Sequence, residues 1–257
     1  MQQLITVAAI GLLGGVLSGF LGIGGGIVTA PLLLYVPALL GQVPLSMHSV
    51  SGLTITQSLF SGLLGSMAHG RRGAVDGKLA GNMSVVVFAA ALAGGVASKF
   101  FSHDLLLGLF VVLALTAAVL ISLPERADGG GSYTSGDFSA PGAVSIAVGT
   151  GLLGGLVGQG GSFLLIPAMV IFLKVPLRVA MGSNLVIVFF ASLAGFIGKA
   201  VTGQVPGMLA LALLAGIAPG SWVGSQLSGR ASTRTIRLTL GALIIVACMR
   251  MVWELVT

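Results

Sequence analysis

Little of this 257-residue chain is charged: twelve Lys and Arg and six Asp and Glu make up 7% of it, against 56% hydrophobic residues. That composition, with a mean hydropathy of +1.10, excludes a soluble domain of this length, which would carry about a quarter of its residues charged. The single cysteine, Cys248, excludes an intramolecular disulfide and a cysteine-based metal site; its place in the last apolar run makes it a packing residue. No Asp or Glu lies in the middle of an apolar run, since Asp76, Asp104, Glu125, Asp128, Asp137 and Glu254 stand in connecting stretches, at segment edges or near the C-terminus. A buried carboxylate proton relay and a carboxylate cage for a cation are therefore not visible, which argues for an anionic or neutral cargo. No G-x-x-x-x-G-K-[ST] stretch occurs, so ATP is not the direct energy source within this chain. No nucleophile with a plausible base and no cluster of metal ligands stands out in the apolar runs, which leaves an enzyme unsupported. No cofactor and no nucleic-acid partner is expected.

What the chain does have is long apolar runs, at roughly 4–23, 25–40, 46–69, 79–99, 104–123, 140–158, 161–173, 177–199, 206–228 and 234–256. Several reach the ~20 residues that cross a bilayer as a helix. They are continuous rather than alternating, so a closed barrel is excluded and helices remain the backbone solution in lipid. The runs at 25–40 and 161–173 are short, each a tilted partial span or half of a re-entrant hairpin. The N-terminal Met-Gln-Gln has no basic flank, and no cleavage site ends the first run, so that segment is expected to stay. Glycine is abundant, 41 residues, and small-xxx-small spacings such as Gly11-x-x-x-Gly15 suit close helix contact. Such faces serve internal packing and a homodimer alike.

The glycines also repeat. Gly15, Gly19, Gly22, Gly24, Gly25 and Pro31 match Gly151, Gly155, Gly158, Gly160, Gly161 and Pro167 without a gap, which divides the chain into repeats at 1–123 and 140–257 joined by a polar linker at 124–139. Positive charges choose the topology. If each glycine-broken region goes in and comes back, Arg71, Arg72, Lys78, Arg126, Lys174, Arg178, Arg230, Arg234 and Arg237 share one side and Lys99, Lys199 and Arg250 the other; a single crossing at each break removes this bias. The expected architecture is thus an all-α polytopic membrane protein of two inverted-topology repeats, each a glycine-broken helical hairpin plus three transmembrane helices. It would lie in a bacterial inner membrane with the linker in the cytoplasm and both termini outside. Lys99 and Lys199, at helix ends facing outside, would attract anions to that mouth or snorkel to the interface.

Gly22-Ile23-Gly24-Gly25-Gly26 and Gly158-Gln159-Gly160-Gly161-Ser162 interrupt apolar sequence in a way that lipid could not tolerate, so the breaks must face protein or a wet cavity. A helix starts after each, with Ile27 and Phe163 in its first turn, and its free N–H groups and partial positive charge make it an anion site. Candidate anion-binding residues are Gly24, Gly25, Gly26, Ile27, Gln159, Gly160, Gly161, Ser162 and Phe163. A second repeated element, Val43-Pro44-Leu45 and Val175-Pro176-Leu177, leads into spans that begin with polar residues. These add Ser51, Thr54, Gln57, Ser183 and Asn184, which could bond an anion's oxygens or, for Ser and Thr, their own helix backbone. Gln57 and Asn184 are the stronger candidates, because an amide in hydrocarbon needs partners. His48, His69 and His103 stand near segment ends, as interfacial residues do.

The paired glycine motifs, the VPL lead-ins, the HGRRGAVD loop at 69–76 and APGSWVGSQLS at 218–228 resemble the TauE/SafE sulfite exporter family over essentially the whole chain. The resemblance implies a bacterial or plant membrane transporter for sulfite, thiosulfate, sulfonates such as sulfoacetate and related sulfur-containing anions. Gln159 and Ser162 depart from the first copy, which has Ile23 and Gly26 there, and add donors suited to an oxyanion. The expected function is a secondary transporter moving such an anion by alternating access between the repeats. A passive anion channel and a non-transporting assembly or sensor subunit are the alternatives.

Overall fold

The computed structural model describes residues 1–21, 26–70, 75–122, 136, 138–228 and 248–252. Among them are nine α-helices: α1 (Gln2–Leu21), α2 (Gly26–Leu39), α3 (Met47–Gly70), α4 (Gly77–Ala97), α5 (His103–Ser122), α6 (Ala140–Val157), α7 (Ser162–Phe172), α8 (Leu177–Val201) and α9 (Gly207–Ser228). There is no strand among the described residues. Among the described residues five segments are long and apolar enough to span a bilayer, Gln2–Phe20, Gly77–Phe100, Ala140–Val157, Val179–Val201 and Gly207–Gly224. With 14 and 11 residues, α2 and α7 rise about 21 and about 16 Å, short of the ~30 Å hydrocarbon core. Residues 248–252 are helical, with Cys248 and Met251 buried and the Arg250 guanidinium 4.8 Å above the Tyr35 ring.

Local chemistry sets the helix ends. Asp76 is the N-cap of α4, its carboxylate accepting the Lys78 and Leu79 amides, and Ser139 caps α6 through the Gly142 amide, as short polar side chains do. The α6 helix stops at Gly158, whose φ of 80° ends it in the left-handed region. Pro31, Pro37, Pro167 and Pro219 lie inside helices, where membrane-spanning helices tolerate proline more readily than soluble ones. His48 and His103 tie the start of α3 to the turn after α4, through the Phe101 carbonyl (3.1 Å) and the Met47 amide (3.0 Å).

The helices pack through their glycines. Gly11 and Gly15 of α1 lie on the Leu213 and Ile217 carbonyls of α9, while Gly216, Gly220 and Gly224 lie on those of Ala8, Leu12 and Val16. In the same way α6 lies along α4, with Gly155 on the Ala91 carbonyl and Gly94 on that of Leu152. The α8 helix crosses α4 at Gly95, Gly195 and Gly198 and α3 at Gly62. These stripes are used inside the chain. Two apolar clusters result, one built on Leu33, Leu53, Phe110 and Leu213, the other on Met83, Val87, Leu165 and Ile187. Buried polar residues gather on the two helices at the middle: Ser51, Thr54, Thr56, Gln57 and Ser58 of α3, and Ser183, Asn184, Ser192 and Lys199 of α8.

Replacing Gly155 with Val would drive a side chain into the Ala91 carbonyl, and overpacking of this kind costs about 3 kcal/mol or more. Purified Gly155→Val is expected to lose its thermal transition or its monodisperse elution, whereas Gly81→Ala, where a Cβ meets nothing within 4 Å, is expected to match the wild type.

Candidate functional site

The second glycine break forms one wall of the site. Gly158, Gly160 and Gly161 have φ of 80°, 60° and 73°, a run of left-handed residues that side chains other than glycine adopt with strain. Through this turn the chain leaves α6 and starts α7 with Gly161 as N-cap and no side-chain capping bond. Both neighbours press against it. The Ser51 backbone of α3 lies on Gly158, and the Ser192 hydroxyl of α8 lies on Gly160. Ser58 Oγ donates to the Gln159 carbonyl at 3.4 Å.

The first break meets it. Gly26, the first residue of α2, lies directly against the Gln159 side-chain amide, so closely that a Cβ there would fall on its oxygen. Gln159 and Gly26 are both buried, so this contact is closed to lipid. Gly24 and Gly25 lie outside the described residues. Ser162 and Phe163 form the first turn of α7, and Ile27 is buried in the first turn of α2, in the apolar cluster.

Several polar groups here have no partner among the described residues. Both amide atoms of Gln57, the Asn184 Oδ1 and the Ser192 hydroxyl are buried without a hydrogen bond; Gln57 and Ser192 are fully buried and Asn184 is 3% exposed. An unmade bond on a buried polar group costs about 1–3 kcal/mol, so three on adjoining central helices are hydrogen-bonding capacity that the fold itself leaves unused. Asn184, Val188 and Ser192 share one stripe of α8 at i, i+4, i+8, and Val188 and Ser192 are the α8 residues that touch Gly160.

Other expected residues are already engaged. Ser183 Oγ accepts the Asp76 amide at 3.1 Å, which joins the starts of α8 and α4. Asp76 is itself held by the Gly136 amide (3.0 Å). Thr54 bonds its own helix, donating to the Val50 carbonyl at 3.0 Å. Ser51 donates to the His48 carbonyl (2.9 Å) and accepts from Lys199 (3.0 Å).

Lys199 corrects a reading of the sequence. At a helix end it was expected to snorkel or to face the outer mouth, yet it is fully buried. Its ammonium donates to Ser98 Oγ (2.7 Å), Ser51 Oγ (3.0 Å) and the Leu156 carbonyl (3.1 Å), with Gln204 Oε1 at 3.4 Å. The side chain turns inward because the last turns of α4 and α6 offer it acceptors there. Lys99, by contrast, is exposed. Sequence reasoning also missed Ser192, since a lone serine in the apolar run FFASLAGF carries no signal until Gly160 is set against it.

Apolar helices of spanning length, packed through glycine around a polar interior, define a multi-pass membrane protein. The Sulfite exporter TauE/SafE family model matches residues 7–251, and the chain belongs to this family of membrane transporters; it is a transporter and not an enzyme. It is similar to the probable membrane transporter protein YunE of Bacillus subtilis (strain 168), 26% identical over 275 residues that cover 98% of each chain. A probable membrane transporter protein of Xylella fastidiosa (strain Temecula1 / ATCC 700964) is 26% identical over 256 residues, 98% of this chain and 96% of that one. The probable membrane transporter protein YdhB of Bacillus subtilis (strain 168) is 28% identical over 220 residues, 82% of this chain and 85% of the other. No solved structure matches the chain.

Removing an unpartnered buried amide should not weaken the fold. Gln57→Leu is expected to unfold at the wild-type temperature or above it, a gain of up to about 1 kcal/mol, in thermal scans of the purified protein; a clear loss would mean that the amide has a structural partner.

Proposed function

We propose that this transporter is a secondary carrier for a small sulfur-containing anion of the sulfite, thiosulfate or sulfonate class, bound where the two glycine breaks meet. The observation that carries this reading is the contact of Gly26 with Gln159, with the unpartnered Ser192 hydroxyl on Gly160 and the unpartnered Gln57 next to Ser58, which bonds the Gln159 carbonyl. The unpartnered amide N–H groups of Gln57 and the Ser192 hydroxyl are donors for an oxyanion. The free N–H groups at the starts of α2 and α7 add partial positive charge. Gly24, Gly25, Gly160, Gly161, Ser162 and Phe163 complete this site in the proposal, and the sulfur chemistry follows the name of the family.

Movement would be by alternating access between inverted repeats 1–123 and 140–257, joined by the cytoplasmic linker 124–139, in a bacterial inner membrane with both termini outside. Support comes from the exchange of partners in the fold: α1 of the first repeat packs on α9 of the second, while α6 of the second packs on α4 of the first. This is the pairing that two interlocked copies related by a twofold axis would make.

Three outcomes are expected in proteoliposomes. Sulfite, thiosulfate or sulfoacetate is taken up saturably, and preloaded anion accelerates uptake, as a carrier allows and a channel does not; failure of every sulfur anion would remove the reading. Ser192→Ala and Gln57→Leu lower flux about tenfold, the worth of one hydrogen bond to a charged ligand, without lowering thermal stability. Tags at the N-terminus and in the linker are reached from opposite sides of the membrane, and access from the same side would refute the inverted repeat.

A further inference from the structure

Two charged side chains are buried among the described residues, Asp76 and Lys199. Asp76 is accounted for by the amides it caps. Lys199 is not, because its described partners, Ser51, Ser98, Gln204 and the Leu156 carbonyl, are all neutral. Burying an ammonium without a counter-ion is expensive unless dipoles solvate it. Here they do. Leu156 lies in the last turn of α6 and Ser98 is the C-cap of α4, so the end of α6 gives the cation a backbone carbonyl, with the partial negative charge of a helix C-terminus, and the end of α4 gives it a hydroxyl. The hydroxyl and amide layer is itself ordered: Ser98 Oγ is 2.8 Å from Gln204 Oε1, and Gln204 Nε2 donates to Thr202 Oγ1 (2.7 Å) and the Gly95 carbonyl (3.2 Å).

Neutral dipoles hold the ammonium without cancelling its net charge; a carboxylate in the same place would hold it and cancel it. The charge is also well placed. Leu156 is two residues before Gly158, and Ser51, which accepts from Lys199, lies with its backbone on Gly158. The fold thus fixes a net positive charge behind the break from which α7 starts. A purely structural tie at this junction would need a donor and no net charge.

Resting on the anion reading above, we propose that Lys199 is the counter-charge of the transported anion, a positioning residue that acts on the cargo at the second glycine break through its field rather than by direct contact. Gln204, at 3.4 Å from the ammonium, is the place to test it. Gln204→Glu keeps the side chain's shape and sets a formal negative charge against Lys199, at the loss of the Nε2 donor to the Gly95 carbonyl.

Binding of radiolabelled sulfite and thiosulfate to the purified full-length protein, with thermal stability measured beside it, decides the matter. Lys199→Arg is expected to stay within about threefold of the wild-type dissociation constant, and Lys199→Met and Gln204→Glu to raise it about tenfold or more, the size of one unit charge acting through protein. Gln204→Glu is expected to fold with a somewhat lower unfolding temperature than the wild type, because a carboxylate oxygen replaces the donor to the Gly95 carbonyl. Unchanged affinity in folded Gln204→Glu, or equal losses in Lys199→Arg and Lys199→Met, would overturn the assignment and leave Lys199 a structural cap. If Gln204→Glu does not fold, for loss of its bond to the Gly95 carbonyl, the comparison of Lys199→Arg with Lys199→Met decides alone. A wild type that binds neither probe would instead defeat the sulfur-anion reading from which the assignment starts.

Discussion

A helix that stops inside a bilayer exposes backbone N–H and C=O groups where no water is at hand to bond them. The break at Gly158–Gly161 imposes this constraint on the rest of the molecule. Its left-handed residues must be glycine, its surroundings must be protein, and those neighbours must come close enough to exclude lipid. The Ser51 backbone and the Ser192 hydroxyl meet these needs from either side, and the ammonium of Lys199 takes the Leu156 carbonyl of the terminating helix. Helices α3 and α8 are held at the centre by these contacts, and the outer pairs α1 with α9 and α4 with α6 close around them through their own glycines.

The same constraint decides what kind of interior results. Because the breaks bring backbone and short polar side chains into the membrane, the centre is polar, and among the described residues no acidic side chain is set on α3 or α8. Gln57, Asn184 and Ser192 are left with unmade hydrogen bonds, a deficit the fold tolerates because packing elsewhere outweighs it. Residues of this kind are where stability and function pull in opposite directions. Asp76 and Ser183 show the contrasting case, polar groups fully engaged in holding the starts of α4 and α8 together.

Much of the fold was legible. Continuous apolar runs separated by charged or proline-containing turns predicted helices within a few residues of where they lie, and the short runs at 25–40 and 161–173 became the short helices α2 and α7. The site was legible in part. Gly26 lies against Gln159, and Gln57 and Asn184 are buried with polar atoms that have no partner among the described residues; their part in binding is the proposal made above. Ser183 and Thr54, picked out by their place after the repeated VPL element, are engaged within the fold: Ser183 accepts the Asp76 amide, and Thr54 bonds its own backbone, as was open to a threonine from the start. Lys199 was misplaced for a related reason. Position near a helix end suggests snorkelling, but the direction a long side chain takes depends on which acceptors lie around it.

The sequence by itself determined that this chain lives in a membrane, that its spans are helices, and that two of them are interrupted at matched glycine clusters. Those conclusions follow from hydrophobic content, run length and backbone stereochemistry, which are local properties. Only the tertiary structure decided which polar groups are satisfied and which are left open, and whether a lysine faces water or the interior. Hydrogen-bond partners and burial are properties of helices far apart in the chain: Ser51 and Lys199, Gly26 and Gln159, Gly160 and Ser192 meet because glycine lets those helices approach, and no window of sequence contains both members of such a pair.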